Sequence, residues 1–164
     1  GLAHAAEHDG DPARVYVAGH SAGGHLATML LTQEWAAAPA QQRRCPFAGL
    51  LAISGLFDLL PIQKSFLNEQ LQLADWEVQA LSPVRLPPRV AAPLLLTVGA
   101  LESSEFHAQS DALLAAWPGA AIFRHVVPGR DHFSVLEDVA APDGALHQAL
   151  LDQMAVAAPP KPYS

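Results

Sequence analysis

The sequence has one cysteine, few basic residues and no long apolar run, and each scarcity excludes a class of protein. A disulfide framework cannot be built from Cys45 alone, and this fits a reducing compartment. Only 9 Lys and Arg residues stand against 16 Asp and Glu residues, and the resulting net charge of −7 would repel nucleic acid. No apolar run approaches the ~20 residues of a transmembrane helix. We therefore expect a cytoplasmic protein that binds neither nucleic acid nor a membrane.

Apolar residues are abundant, at 51% of 164 positions, which is enough for one buried core. Short β-branched and apolar runs predict strands at 14–18, 47–53, 93–98 and 121–127. Helical spacing of apolar residues predicts helices at 22–35, 104–116 and 143–156. This alternation predicts an α/β fold, with a mostly parallel sheet and helices on both faces. We expect a single domain over 1–156 with a proline-rich, cap-like excursion at 58–92, and a mobile proline-rich tail at 157–164.

The run Gly19-His20-Ser21-Ala22-Gly23 contains the pattern G-x-S-x-G between a predicted strand and a predicted helix. In that setting the pattern is typical of a nucleophilic serine on a tight strand-to-helix turn, where flanking glycines leave room for the backbone. The helix that follows would point its first amides at a developing oxyanion. We predict Ser21 as the nucleophile and the N–H of Ala22 as an oxyanion donor.

A serine needs a base, and the base needs an acid to orient it, in the chain order Ser, acid, His. His132 lies in the loop after the last predicted strand and is the predicted base. Glu102 is the first carboxylate after the strand at 93–98 and is the predicted acid, with Glu105 as an alternative. Asp131 is next to the base in sequence and is better suited to hydrogen bonding within its own loop.

A metal site is the alternative chemistry, because His4-Ala5-Ala6-Glu7-His8 places two histidines four residues apart. The sequence offers no clear third ligand, so we expect neither a metal nor a cofactor.

These motifs resemble the α/β-hydrolase superfamily, and within it the kynurenine formamidase (arylformamidase)-like branch. The resemblance is carried by residues 10–27, 53–62, 96–110 and 127–137, and segments 54–59 and 102–106 are the more particular to this branch. It implies a triad at Ser21, Glu102 and His132, in agreement with the chain-order argument. It also implies a small-molecule substrate, with hydrolysis of N-formylkynurenine to kynurenine and formate through an acyl-enzyme.

The chain departs from the pattern of this branch in two respects. Glu102 stands where the branch usually has Asp. The His-Gly-Gly loop that supplies further oxyanion amides is absent, together with the first four strands of the family sheet. What remains resembles strands five to eight, so we expect a C-terminal fragment whose first strand has an uncovered edge.

Two other functions stay open at this point: a general carboxylesterase of the lipase-like kind, and a catalytically impaired fragment or binding module. Oligomerisation is also open. Candidates for lining the substrate pocket are His20, Phe57, Phe106 and Phe133, although the general burial tendency of phenylalanine favours a core position for each of the three.

Overall fold

The computed structural model describes residues 7–35 and 46–156. Four strands form one sheet: β1 (Tyr16–His20), β2 (Gly49–Ile53), β3 (Leu94–Gly99) and β4 (Ile122–Val127). The strands lie in chain order, and each is parallel to its neighbour. The predicted α/β fold with a mostly parallel sheet is confirmed.

The first strand begins and ends two residues later than predicted. Gly19 was interpreted as the end of the strand, but pairing with β2 continues through His20, which lies opposite Ile53. The strand therefore runs directly into Ser21. In the described sheet β1 pairs with β2 alone and forms one edge.

Helices pack on both faces of the sheet. They are α1 (Ala22–Met29), α2 (Leu60–Gln63), α3 (Asn68–Leu71), α4 (Asp75–Leu81), α5 (Ser104–Ala116), α6 (Val135–Ala140) and α7 (Ala145–Val156), with 3₁₀ turns at Leu30–Thr32 and Pro83–Arg85. The prediction for α5 matches the structure at both ends. The first helix is shorter than predicted because Gln33 turns to an extended backbone. Helix α6 was not predicted, since six residues are too few to establish a helical period.

Strands β2 and β3 are buried along their whole length, and their alternate side chains enter two different cores. Leu94 and Leu96 face one core, where they pack with Leu113 of α5. Leu95 faces the opposite core, with Val135 of α6 and Leu146 of α7. When helices cover both faces of a parallel sheet, the edge formed by the carboxyl ends of its strands, its carboxyl edge, remains accessible. Ligand sites form at this edge in such folds.

The excursion at 58–92 contains α2, α3 and α4 and is fastened to the rest of the fold through side chains of helix α5 and of the turn that follows it. Trp117 donates its indole N–H to the carbonyl oxygen of Leu86 at 2.8 Å. Gln109 donates to the carbonyl oxygen of Asp58 at 2.9 Å. A cap function for this segment stays a prediction, and the tail at 157–164 lies outside the described residues. None of the helices within the described ranges is long and apolar enough to cross a membrane.

Candidate active site

Ser21 occupies a sharp turn between β1 and α1. Its φ of 55° and ψ of −117° are unfavourable for a residue with a Cβ. The backbone N–H of Ser21 donates to the carbonyl oxygen of Ile53 at 2.8 Å, which fixes the turn at the end of β2. A neighbouring tertiary contact thus holds a strained conformation that raises the serine above the carboxyl edge of the sheet.

The sequence predicted that Gly19 and Gly23 leave room for the turn at Ser21, and the structure supports this for Gly19 only. A Cβ on Gly19 would lie 2.0 Å from the carbonyl oxygen of Gly23, so Gly19 is required. A Cβ on Gly23 would meet nothing within 4 Å. The second tight position is Gly24, whose Cβ would come within 2.9 Å of the Cα of Gly55. The prediction that Gly23 provides room for the turn was wrong. In α1 it is Gly24, and not Gly23, that lies against the end of β2.

His132 and Glu102 are brought together from the loops that follow β4 and β3. His132 Nδ1 lies 2.9 Å from Glu102 Oε2. A carboxylate accepts this hydrogen bond, so Nδ1 carries its proton, and in the neutral imidazole Nε2 is then the nitrogen with the lone pair. The Glu102 side chain is fully buried, while the His132 ring is 21% exposed. Within the pair, Glu102 is thus shielded from solvent, whereas part of the His132 ring is accessible.

Two donors hold the second carboxylate oxygen of Glu102. Ser54, directly after β2, donates its hydroxyl to Oε1 at 2.5 Å. The backbone N–H of Gly99 donates to the same oxygen at 2.7 Å. No role was predicted for Ser54 from the sequence. The available signal was its position, because it follows a buried strand at the same sheet edge as Ser21 and Glu102.

The two other carboxylates near His132 have their own partners. Glu105 accepts a hydrogen bond from Gln109 at 2.9 Å and makes none with His132. Asp131 accepts bonds from the backbone N–H groups of Phe133 and Ser134 and from the Ser134 hydroxyl. The bond from the Ser134 N–H is the main reason that the pKa of Asp131 lies below its ordinary value. Asp131 therefore stabilises the loop that carries His132.

Aromatic rings surround the imidazole of His132. Phe106 stacks on it with centroids 4.3 Å apart, and Phe133 meets it edge-on at 5.3 Å. His20 contacts it at 4.5 Å, and His20 Nε2 lies 2.7 Å from the His132 carbonyl oxygen. Phe133 is 79% exposed, whereas Phe57 is completely buried in the core with Leu50 and Leu96. Phe57 has no exposed surface for a substrate, so the core position that its residue type favours is the one it takes, and it is not a pocket candidate.

Two polar groups at the turn have no hydrogen-bond partner among residues 7–35 and 46–156. Ser21 Oγ makes no hydrogen bond to any described residue, His132 included. The N–H of Ala22, at the first position of α1, likewise donates to no described acceptor. The Ser21 hydroxyl and the Ala22 N–H, on adjacent residues of the turn, are thus both unpaired within the described residues.

The alternative metal site lies mostly outside the described part of the chain, since His4 precedes residue 7. Across 7–35 and 46–156, no three His, Cys, Asp or Glu side chains are grouped closely enough to hold a metal ion.

Known proteins resemble this chain in sequence and in fold. It is 33% identical over 149 residues to a kynurenine formamidase of Salmo salar, covering 85% of this chain and 49% of that protein. Against a kynurenine formamidase of Danio rerio the identity is 29% over 144 residues, covering 84% and 48%. The chain therefore spans about half the length of the curated relatives it matches.

Solved structures agree with this resemblance. A proposed thioesterase from Silicibacter sp. TM1040 superposes with a TM-score of 0.73 at 29% identity, covering 90% of this chain and 53% of that one. Esterase B from Lactobacillus rhamnosis, at 17% identity, covers 95% and 58% with a TM-score of 0.71 and shows the fold alone. The model of the alpha/beta hydrolase fold matches residues 2–118. Since this match takes in most of the chain, together with the parallel sheet and the turn at Ser21, the chain belongs to the α/β-hydrolase fold family.

Proposed function

We propose that this chain carries the catalytic triad of a serine hydrolase, with Ser21 as nucleophile, His132 as general base and acid, and Glu102 as the orienting acid. The observation that carries the proposal is the 2.9 Å bond between Glu102 Oε2 and His132 Nδ1, on the same sheet edge as Ser21. Such a bond fixes the imidazole tautomer whose Nε2 can accept the serine proton. The strained backbone of Ser21 supports the same assignment.

Glu102 is favoured over Glu105 as the acid. Glu102 is buried and bonded to His132, and Glu105 is exposed and bonded to Gln109. A carboxylate sealed from water interacts more strongly with the imidazolium that forms during the reaction.

The proposed substrate is an N-formyl aryl amine, and N-formylkynurenine is the specific candidate. The two kynurenine formamidase relatives support this class. The aromatic surface around His132 supports it as well, because Phe106 and the exposed Phe133 offer ring faces to an aromatic leaving group.

The reaction proceeds in two half-reactions. Ser21 Oγ attacks the formyl carbon while His132 Nε2 takes its proton, and the N–H of Ala22 stabilises the oxyanion. His132 then protonates the departing aryl amine as the C–N bond breaks. Water, deprotonated by His132, attacks the formyl ester on Ser21 and releases formate, and the proton returns to the serine oxygen.

A small carboxylic ester or thioester is the second candidate substrate. The Silicibacter structure, at 29% identity, favours it. The triad chemistry is the same for both substrates, so the shape of the pocket decides between them. The binding-module alternative is the outcome in which neither substrate is turned over.

The test compares the parent with Ser21→Ala, using N-formylkynurenine and p-nitrophenyl acetate as substrates and a fluorophosphonate probe for labelling. Ser104→Ala is the matched control, because Ser104 is exposed on helix α5. We expect turnover and labelling in the parent and the control, and neither in Ser21→Ala. Labelling that survives in Ser21→Ala would overturn the assignment of the nucleophile. A preference for the ester by orders of magnitude would select the second candidate, and failure to label the parent would favour the alternative of a catalytically impaired fragment or binding module.

A further inference from the structure

Ser54 combines three properties that a residue filling space does not need. It is 1% exposed, so its hydroxyl is removed from water. Its φ is 50°, in the left-handed region that favours glycine. Its Oγ lies 2.5 Å from Glu102 Oε1, the shortest hydrogen bond among those to this carboxylate.

The backbone at this position is fixed without help from the side chain. The N–H of Ser54 donates to the carbonyl oxygen of Thr97 at 2.7 Å, continuing the pairing of β2 with β3 beyond Ile53. Glycine would adopt the same backbone conformation with less strain. The backbone conformation therefore does not explain why this residue is a serine. The remaining explanation is the hydroxyl group, whose hydrogen-bond partner is Glu102.

The direction of the bond follows from its chemistry. A carboxylate only accepts, so the Ser54 hydroxyl is the donor. Together with the Gly99 N–H, it occupies Oε1 and leaves Oε2 to His132. A buried carboxylate needs such donors to satisfy its oxygens and to stay in one orientation.

We propose that Ser54 is a positioning residue of the hydrolase, which acts on the reaction through Glu102 and does not touch the substrate. This inference rests on the proposed function to the extent that Glu102 is the triad acid. The hydroxyl holds the carboxylate in the plane that Nδ1 of His132 requires. Without it, the Gly99 N–H is the one donor left on Oε1, and the carboxylate is held less firmly against rotation about its last side-chain bond.

Two substitutions separate the hydroxyl from the backbone strain. Ser54→Gly removes both, whereas Ser54→Ala removes the hydroxyl and keeps a Cβ at positive φ. We expect kcat to fall by about tenfold in both variants, roughly the worth of one charge-assisted hydrogen bond, with KM within about twofold of the parent. We expect Ser54→Gly to be the more stable of the two in urea. A parental kcat in Ser54→Gly would overturn the proposal, because turnover would then not need the hydroxyl.

A double-mutant cycle tests the route through Glu102. In a Glu102→Gln background we expect Ser54→Gly to lower kcat no further, since the group on which Ser54 acts is already lost. A full tenfold loss in that background would overturn the proposal.

A third measurement does not depend on turnover. The Nδ1 proton of His132, followed by proton NMR, should move upfield and exchange faster with water in both Ser54 variants, because its acceptor is less firmly held. An unchanged Nδ1 resonance would overturn the positioning role. If the resonance changes but the protein shows no Ser21-dependent hydrolysis, the role of Ser54 would be supported and only the proposed function would be refuted.

Discussion

Glu102 and His132 are joined by a 2.9 Å hydrogen bond although they lie thirty residues apart in the chain. The bond connects the loops after β3 and β4, two strands that are neighbours in the sheet. Glu102 is buried and its other oxygen is held by Ser54 and Gly99, so His132 meets a carboxylate that is already fixed. Preorganisation of this kind lowers the reorganisation needed when the imidazole becomes charged.

The first prediction concerns the identity of the acid. Glu102→Gln should lower kcat by about 10⁴-fold, because an amide can present its N–H₂ to the imidazole and favour the wrong tautomer. Glu105→Gln is the matched control and should keep the parental rate, since Glu105 bonds Gln109 and not His132. The measurement is steady-state hydrolysis of p-nitrophenyl acetate. The reverse order of effects would reassign the acid to Glu105.

The second prediction concerns the loop of His132. His20 Nε2 and His25 Nε2 each lie 2.7 Å from a backbone carbonyl oxygen, of His132 and of Leu81 respectively. His20→Ala should lower kcat by about tenfold, because the lost bond is the one that holds the backbone of the base. His25→Ala removes a similar bond to Leu81, which belongs to α4 and not to the loop of the base, and should leave kcat unchanged. Equal losses in both variants would show that His20 acts on stability alone.

The third prediction concerns the turn at Ser21. Gly19→Ala should destabilise the fold by about 3 kcal/mol or more, since its Cβ would overlap the Gly23 carbonyl. Gly23→Ala should be tolerated and could gain up to about 1 kcal/mol from helix propensity, because its Cβ enters open space at the start of α1. Urea unfolding measures both free energies. Similar curves for the two variants would contradict the close approach at Gly19.

The fourth prediction is a pH dependence of stability due to Asp131. Hydrogen bonds from Ser134 and Phe133 lower the pKa of Asp131 in the folded chain below its ordinary value of 3.8. The ionised carboxylate therefore stabilises the fold above pH 3.8, and this stabilisation is lost as the pH falls through the folded-state pKa.

Asp131→Asn should accordingly be less stable than the parent at about pH 7, and the difference should be smaller at about pH 2, as measured by urea unfolding at both values. Asp143→Asn, at an exposed position, serves as the control and should follow the parent at both pH values. A stability difference for Asp131→Asn that persists undiminished at low pH would show that the charge is not its source.

The order of elements was predictable because a local pattern determines it. The apolar runs of β2 and β3 and the spacing in α5 are local features, and the structure contains each of them at nearly the predicted bounds. Errors occurred where the pattern was short or where tertiary pairing decided the outcome. Helix α6 has six residues, and β1 extends through His20 because β2 pairs with it there.

The sequence by itself determined the chemical types and their order: a serine between a strand and a helix, then a carboxylate, then a histidine, each after a strand. Only the tertiary structure decided which carboxylate meets the histidine, because Glu102 and Glu105 are three residues apart and equally acidic in sequence. The parallel sheet brings the ends of β2, β3 and β4 to one edge. There Glu102 bonds Ser54 and His132, whereas Glu105, in the first turn of α5, bonds Gln109 one turn along the same helix. Ser54 gains its partner for the same reason, since a hydrogen bond across forty-eight positions exists only once the strands have paired.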